Sequence, residues 1–399
     1  MIQPSDLHIC IATEQNVANL IPALQYQAKE VWILETPEMH KEHSGRYLSD
    51  ALKAHEVNSK LIPFPSDGIE TMMETVDQIA IQLESADRLP IINITGGTKL
   101  MTLTLVQGLA AMLETSDMGI RVPLVYTDTQ NQRLEWIQTE NSVDDMQPVL
   151  ELVDFLRVYG YHIKSTRKNN KEVRAKHLDI ARDREHQTNE MAGAAHRFRH
   201  AISALNGAAS KAANELESSR SADKLLIQRF DFKGAKKPEL EYFSKLEDNG
   251  LLEYRQAQQQ VEFMTEEAAR YCAGGWLEEF VALKAEKAEI NGSWDYNLEV
   301  QTAELQTPNE IDLMVVHNNR ALVVECKTAR PESGVAQGWL TRLGNLARRV
   351  GGRQATPMLV STHKLAEPHV KRAQDLGVLL CHGPEVQHFA RYLYKWLNS

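Results

Sequence analysis

The sequence predicts an α/β protein in which two separate sheets are bridged by a helical segment. Three observations predict it. Short apolar runs alternate with helical patterns up to about residue 148, a polar and mainly helical stretch follows, and from Tyr271 the order becomes helix, three strands, helix, strand, helix, strand. At 399 residues the chain is long for one domain, and these changes divide it into 1–148, 149–270 and 271–399.

In the first division, Leu7 to Ala12, Val31 to Glu35, Leu61 to Phe64, Ile91 to Ile94 and Val122 to Tyr126 read as strands of a parallel sheet with helices on both faces. No segment matches a dinucleotide fingerprint or a Walker loop. The fourth strand instead runs into Thr95-Gly96-Gly97-Thr98-Lys99, which opens a helix. Its glycines let backbone amides approach a ligand, the helix N-terminus favours an anion, and Thr95, Thr98 and Lys99 add hydroxyls and a charge. Such a turn lies at the carboxyl ends of the strands, where ligands bind, and the loop Thr13-Glu14-Gln15-Asn16 after the first strand can face the same crevice. The competing account is a plain strand-to-helix connection that uses glycine for geometry.

The middle division carries a basic stretch, Lys164, Arg167, Lys168, Lys171, Arg174 and Lys176 against Glu172. Near its end, a helix from Leu240 to Leu252 closed by Asn249-Gly250, then an alternating Tyr254 to Met264, looks like a winged helix.

In the last division, Gly274-Gly275 precedes a helix from Trp276 to Lys287, Tyr296 to Thr302 begins a meander, and Pro357 to Ser361 and Gly377 to Leu380 supply later strands. Between them, Ile311 to Val316 and Ala321 to Lys327 form a hairpin around His317-Asn318-Asn319-Arg320. A two-residue turn at Asn318-Asn319 sets Asp312 opposite Glu325 and Glu310 opposite Lys327. Opposed carboxylates repel, so this pair calls for a cation between them. Two hard oxygen donors suit Mg²⁺ or Mn²⁺, and a lysine two residues along can orient or polarise a metal-bound water. That set supports metal-assisted hydrolysis of a phosphodiester. The rival account is an edge hairpin with a solvated charged face. On the preceding helix, Glu278 sits nearer the buried stripe of Leu277, Phe280 and Val281 than Glu279 does, which makes it the better candidate for a further acid.

Seven basic residues, Arg342, Arg348, Arg349, Arg353, Lys364, Lys371 and Arg372, with Glu367 alone opposing them, follow the hairpin. His363 beside this patch is a candidate phosphate contact. His40 and His43 lack further ligands, and Trp276 and Trp339 fit the core better than base stacking. The net charge of -10 excludes a globally basic nucleic-acid binder but not a local groove. Cys10, Cys272, Cys326 and Cys381 lie too far apart for a zinc ribbon or a disulfide framework. With no signal segment or membrane span, a soluble cytoplasmic protein is expected.

Asn309-Glu310-Ile311-Asp312 followed by Glu325-Cys326-Lys327, with a helical glutamate before and a helix after, resembles the PD-(D/E)XK nuclease superfamily and its restriction-endonuclease-like fold. The resemblance implies Asp312 and Glu325 as metal ligands, Lys327 as the catalytic lysine and Glu278 as the auxiliary acid. Ile311 stands where the family name has proline. Asn93-Ile94-Thr95-Gly96-Gly97-Thr98-Lys99 is similar to the signature of CARF domains, the Rossmann-like sensors of cyclic oligoadenylates.

Together the motifs resemble CRISPR ancillary nucleases built as CARF sensor, linker and nuclease. This implies a homodimeric endonuclease of type III CRISPR antiviral defence, allosterically activated by cyclic tetra-adenylate. Its substrate would be single-stranded DNA, RNA or both, with nicking of duplex DNA also open. The alternatives are a DNA-binding CARF and winged-helix regulator with a non-catalytic last domain, and a constitutive DNA-repair nuclease.

Overall fold

The computed structural model describes residues 6–115, 122–137, 143–165, 170–218, 226–230, 237–303, 308–331 and 334–399. Of the basic stretch in the middle division, Arg167 and Lys168 lie outside these residues.

Seven strands form the first sheet: β1 (Leu7–Ile11), β2 (Glu30–Glu35), β3 (Asn58–Pro63), β4 (Ile91–Asn93), β5 (Leu124–Asp128), β6 (Arg133–Ile137) and β7 (Val143–Asp145). Their order is β3-β2-β1-β4-β5-β6-β7, parallel through the first five and antiparallel in the last two. The five expected strands are present, each within about three residues. The antiparallel extension was not expected, although Arg133-Leu134-Glu135-Trp136-Ile137 alternates as a strand with one buried face should. Successive strands are added to one side up to β3 and to the other from β4, so the loops after β1 and β4 flank a topological switch point.

The middle of the chain is less separate than its composition implies. β8 (Tyr161–Ile163) leaves it to become the edge of the second large sheet, pairing with the strand Gly292–Thr302. The 34-residue helix Glu185–Ser218 then leads to a small sheet of β9 (Ile227–Arg229), β10 (Leu252–Arg255) and β11 (Gln260–Phe263). The helix Lys237–Asp248, closed by Gly250 at φ 66°, precedes the β10-β11 hairpin of this sheet.

The second large sheet has the order β16-β15-β14-β13-β12-β8. It contains β12 (Gly292–Thr302), β13 (Asn309–His317), β14 (Arg320–Lys327), β15 (Ala355–Ser361) and β16 (Leu379–His382). Helix Trp276–Glu286 packs on one face with the long helix, and helix Val335–Gly351 covers the other. Trp276 and Trp339 are both buried in these cores, 0% and 6% exposed, which excludes base stacking. The core under helix Val335–Gly351 runs on into the first sheet, joining Val17, Leu20 and Ile33 to Leu298, Val323 and Leu340. No helix among the described residues is long and apolar enough to cross a membrane.

Candidate active site and sensing turn

The hairpin forms with the expected register. Asn318 and Asn319 take φ of 48° and 57°, the primed turn that matches strand twist, and the rungs run from His317↔Arg320 to Leu313↔Val324. The ladder stops there, one residue short of Asp312 and Glu325. On the other side of β13 the rungs to β12 also skip Asp312, because Asn297 opposite it turns to φ 50° before pairing resumes at Leu298↔Ile311. This local break frees β13 from both neighbours at the acid. Asp312 Oδ2 then accepts the backbone N–H of Cys326 at 2.6 Å, which fixes the carboxylate against the Glu325-Cys326-Lys327 segment.

Val323, Glu325 and Lys327 alternate onto one face of β14, the face that Leu340 and Leu343 of helix Val335–Gly351 pack. Lys327 Nζ lies 2.6 Å from Glu325 Oε1. The sequence sets Lys327 opposite Glu310, but the observed rungs do not extend to that pair. Lys327 pairs with Ser361 of β15, and Glu310 with Glu299 of β12.

Electrostatics single out the acid. Burial pushes the Asp312 carboxyl well above the usual range, Glu278 and then Glu325 push it the same way, and Lys327 and the Cys326 N–H oppose them. Burial also works against charge on Lys327, yet Glu325 and Asp312 outweigh it and hold the ammonium above the ordinary lysine value. Of the two helical acids, Glu279 is bound to the Arg184 guanidinium, Nε to Oε2 at 2.9 Å, while Glu278 acts on Asp312. Arg184 is 95 residues away in sequence, and no local pattern announces it.

Asp312 and Glu325 are the residues that could hold a divalent cation. They are hard oxygen donors, and a cation there would offset the burial and the Glu278 and Glu325 charges that raise Asp312. No group of three His, Cys, Asp or Glu among the described residues closes around one point. A metal at this pair would complete its shell from water, backbone or a phosphate, the habit of a small hard cation. His40 is occupied elsewhere, its Nδ1 2.8 Å from Glu35 Oε2.

At the switch point the glycines of the turn are required by close packing. A Cβ at Gly96 would lie 2.4 Å from the Ile11 carbonyl oxygen, and one at Gly97, at φ 83°, 2.7 Å from Ile11 Cδ1. The Thr95 hydroxyl donates to Asn93 Oδ1 at 2.6 Å and accepts the Thr127 N–H at 2.7 Å, so it builds the turn. Asn93, a polar residue in an apolar strand, was the overlooked signal: its Nδ2 reaches Ala18 O and Asn19 Oδ1. Asn16 is likewise a frame residue, accepting from Thr13 N and Asn19 Nδ2 and donating to the Ser44 carbonyl. The Thr13 hydroxyl accepts the Gln15 N–H at 3.0 Å. Thr98 caps the helix at Met101 N, and Glu14, Thr98 and Lys99 remain exposed on the rim. Gln15 points at the second sheet and accepts the Arg353 N–H.

Family models divide the chain as this geometry does. Residues 7–155 match the Card1 CARF domain and residues 265–399 match the Card1-like endonuclease domain. The chain joins a Card1-type CARF domain to a Card1-like endonuclease domain. It is an endonuclease.

Among solved structures, a protein from Vibrio cholerae described as VC1899 shares 21% identity over 98% of both chains at a TM-score of 0.78. Can2 from Sulfobacillus thermosulfidooxidans, solved with cyclic tetra-adenylate, shares 17% over 99% of this chain and 98% of its own, at 0.72. A type III CRISPR defence DNA nuclease activated by cyclic oligoadenylate shares 18% over 92% of this chain and 48% of its own, at 0.52. At these identities the likeness is one of fold. No curated protein matches the sequence.

Proposed function

We propose that this chain is a metal-dependent nuclease of type III CRISPR defence, allosterically activated when cyclic tetra-adenylate binds the CARF domain. The observation that carries the reading is the occurrence in one chain of two sites: the Asp312, Glu325, Lys327 and Glu278 cluster, and a glycine turn at a switch point. The fold shared with Can2, whose structure holds cyclic tetra-adenylate, supports that ligand.

The ligand would lie over Thr13 to Asn16 and Thr95 to Lys99. Glu14, Thr98 and Lys99 face it, and Thr95, Gly96, Gly97 and Asn16 hold the backbone that receives it. Leu100 and Leu103, exposed on the helix that the turn opens, are apolar surface next to the site. They support a homodimer in which two turns face one two-fold symmetric ring.

At the other end, Asp312 and Glu325 would hold Mg²⁺ or Mn²⁺, which when bound supplies Lewis acidity and an activated water. Lys327, kept charged by its two carboxylate neighbours, orients the attacking oxygen and faces the charge that develops on the phosphate. Glu278 keeps Asp312 in a strongly negative setting, so that metal affinity is concentrated there. The Cys326 N–H fixes which oxygen of Asp312 is available. Single-stranded DNA and RNA are the proposed substrates, with nicking of duplex DNA a further outcome.

The test is incubation with Mn²⁺ or Mg²⁺ and labelled single-stranded DNA, single-stranded RNA or plasmid, each with and without cyclic tetra-adenylate. Cleavage that requires the ligand and disappears in Glu325→Ala and Lys327→Ala is expected. Cleavage surviving in both variants would sink the site, and cleavage indifferent to the ligand would sink the switch.

A further inference from the structure

Beyond the catalytic strands, three elements bring basic side chains together at a place that neither the sensing turn nor the cleavage centre uses. His196, Arg199 and His200 come from the long helix Glu185–Ser218, Arg330 from the segment after β14, and His363 and Lys364 from the segment after β15. Hydrogen bonds fix the three elements. Arg330 N donates to Ser203 Oγ at 3.0 Å, the Asn206 side-chain amide bonds Thr328 Oγ1 at 2.8 Å, and Thr362 N donates to the Lys327 carbonyl at 3.1 Å. The last of these sets His363 one residue from a direct contact with the catalytic strand.

The centre of the cluster is a histidine with one ring nitrogen open, although the ring also bonds the Arg199 backbone. His363 is 6% exposed, its ring meets that of His200 edge to face at 6.4 Å, and its Nε2 has no hydrogen-bond partner. A buried polar atom left open calls for an explanation, and here its surroundings are cationic. Burial, then His200, Arg199 and Arg330, push His363 down to about 4 against an opposing hydrogen bond to the Arg199 backbone, so all three groups act on it. Arg199 and Lys364 act on His196 in the same way, after its burial. Among the described residues the Arg199 guanidinium bonds the His196 carbonyl, and no carboxylate pairs with Arg199, Arg330 or Lys364. The histidines do not make a metal site, since no three metal-ligating side chains converge among the described residues. A concentration of uncompensated positive charge around an open buried donor-acceptor is what an oxyanion would complete.

We propose that His363, Arg199, His200 and Arg330 form a subsite for a phosphodiester oxyanion of the strand being cut. The inference rests on the nuclease reading above and extends it. A phosphate held there is engaged through its backbone charge, without readout of the base, and it positions the strand across Glu325 and Lys327. It also gives the long helix a part in substrate binding, because Arg199 and His200 reach the strand from the segment between the two family domains.

The experiment uses the full-length protein with Ca²⁺ in place of Mg²⁺ or Mn²⁺ and with cyclic tetra-adenylate present. Binding of single-stranded DNA and RNA oligonucleotides is measured across a salt series. Arg199→Ala and Arg330→Ala, both at positions with solvent access, are each expected to weaken binding about tenfold. Each should also flatten the plot of log affinity against log salt by roughly 0.7. In cleavage assays KM should rise with kcat little changed, and His363→Gln should follow them in KM. Inorganic pyrophosphate should compete with the oligonucleotide in the wild type and lose that competition in the arginine variants.

Unchanged affinity and slope in both folded arginine variants would overturn the subsite, as would pyrophosphate binding that leaves the strand undisplaced. Glu325→Ala reads the cleavage centre separately. Strand binding through Arg199 and Arg330 without any cleavage by the wild type would fail the nuclease reading and leave the subsite standing.

Discussion

The side-chain carbonyl of Gln15 accepts the backbone N–H of Arg353 at 2.9 Å, and so ties the loop after β1 of the CARF domain to the entrance of β15 in the endonuclease domain. The Tyr159 hydroxyl approaches the same oxygen at 3.4 Å. Arg353 follows Gly352, which takes φ 57°, and β15 then runs alongside β14 to the Lys327↔Ser361 rung. A displacement of the loop after β1 therefore has a short covalent and hydrogen-bonded route to Lys327, the proposed catalytic lysine.

Gly352 is the point at which that junction can be tested. A Cβ there would fall 2.1 Å from the Tyr159 hydroxyl oxygen and 2.3 Å from Gln15 Oε1, in a backbone conformation that side chains disfavour. Gly352→Ala is expected to cost about 2–4 kcal/mol of stability, read as a shift in the denaturant midpoint. Gln15→Ala alone should cost about 1 kcal/mol. The double variant should recover part of the glycine loss, because one of the two clashes is gone. Strict additivity would refute the shared contact.

Asn319 makes a second junction. It is 1% exposed in the hairpin turn, its Oδ1 accepts Val149 N and Leu150 N at 3.1 and 3.0 Å, and its Nδ2 donates to Gln147 O at 2.6 Å. Asn319→Gly keeps the positive φ and loses all three bonds, leaving two backbone donors without their acceptor. It should destabilise the protein by about 2–3 kcal/mol, and Asn319→Ala by more, since it adds backbone strain. Equal midpoints for the two variants would show that φ contributes nothing there.

These positions also show where sequence was sufficient. Asn318-Asn319 permits a primed turn, and that turn fixes the pairing of β13 with β14, so the hairpin register was legible. The glycine turn was legible as a place of close approach, because only glycine leaves room against Ile11. What sequence could not supply depends on distant chain. The β12 ladder breaks at Asp312 because Asn297 turns on the neighbouring strand, and Glu279 is held by Arg184 from another helix. Thr95 and Asn16 read as ligand contacts by residue type, yet their side chains are engaged by Thr127, Asn93, Thr13, Asn19 and Ser44. Tyr161–Ile163 is too short to declare that it belongs to the sheet of β12.

Acid should unfold the protein partly through His8. This residue of β1 is 2% exposed, its Nε2 has no partner, and burial pushes its pKa down to about 4. The folded pKa lies below the unfolded value of about 6.5, so the unfolded chain binds the proton more readily. The contribution is complete above about pH 6.5 and is lost as pH falls toward 4. Between pH 7.5 and 5 it amounts to about 2 kcal/mol. Urea melts at those two pH values should show His8→Gln losing less stability than the wild type. An equal loss in both would remove His8 from the account.

Asp312→Asn separates the acid's charge from its place in the fold. The amide oxygen can still accept the Cys326 N–H, so the hairpin is kept, while the negative charge that Glu278 and Glu325 oppose is removed. Without a divalent cation the variant should melt no lower than the wild type, and relief of the buried like-charge contact should raise its midpoint, by about 1 kcal/mol or more. In Mn²⁺ or Mg²⁺ the order reverses: the wild type gains stability by mass action and the variant does not. Cleavage by the variant should fall by at least about a thousandfold, as expected when a charge facing the transition state is lost. A variant that keeps metal-dependent stabilisation would show that Asp312 is not a ligand, and one that keeps cleavage would move the catalytic centre away from this hairpin.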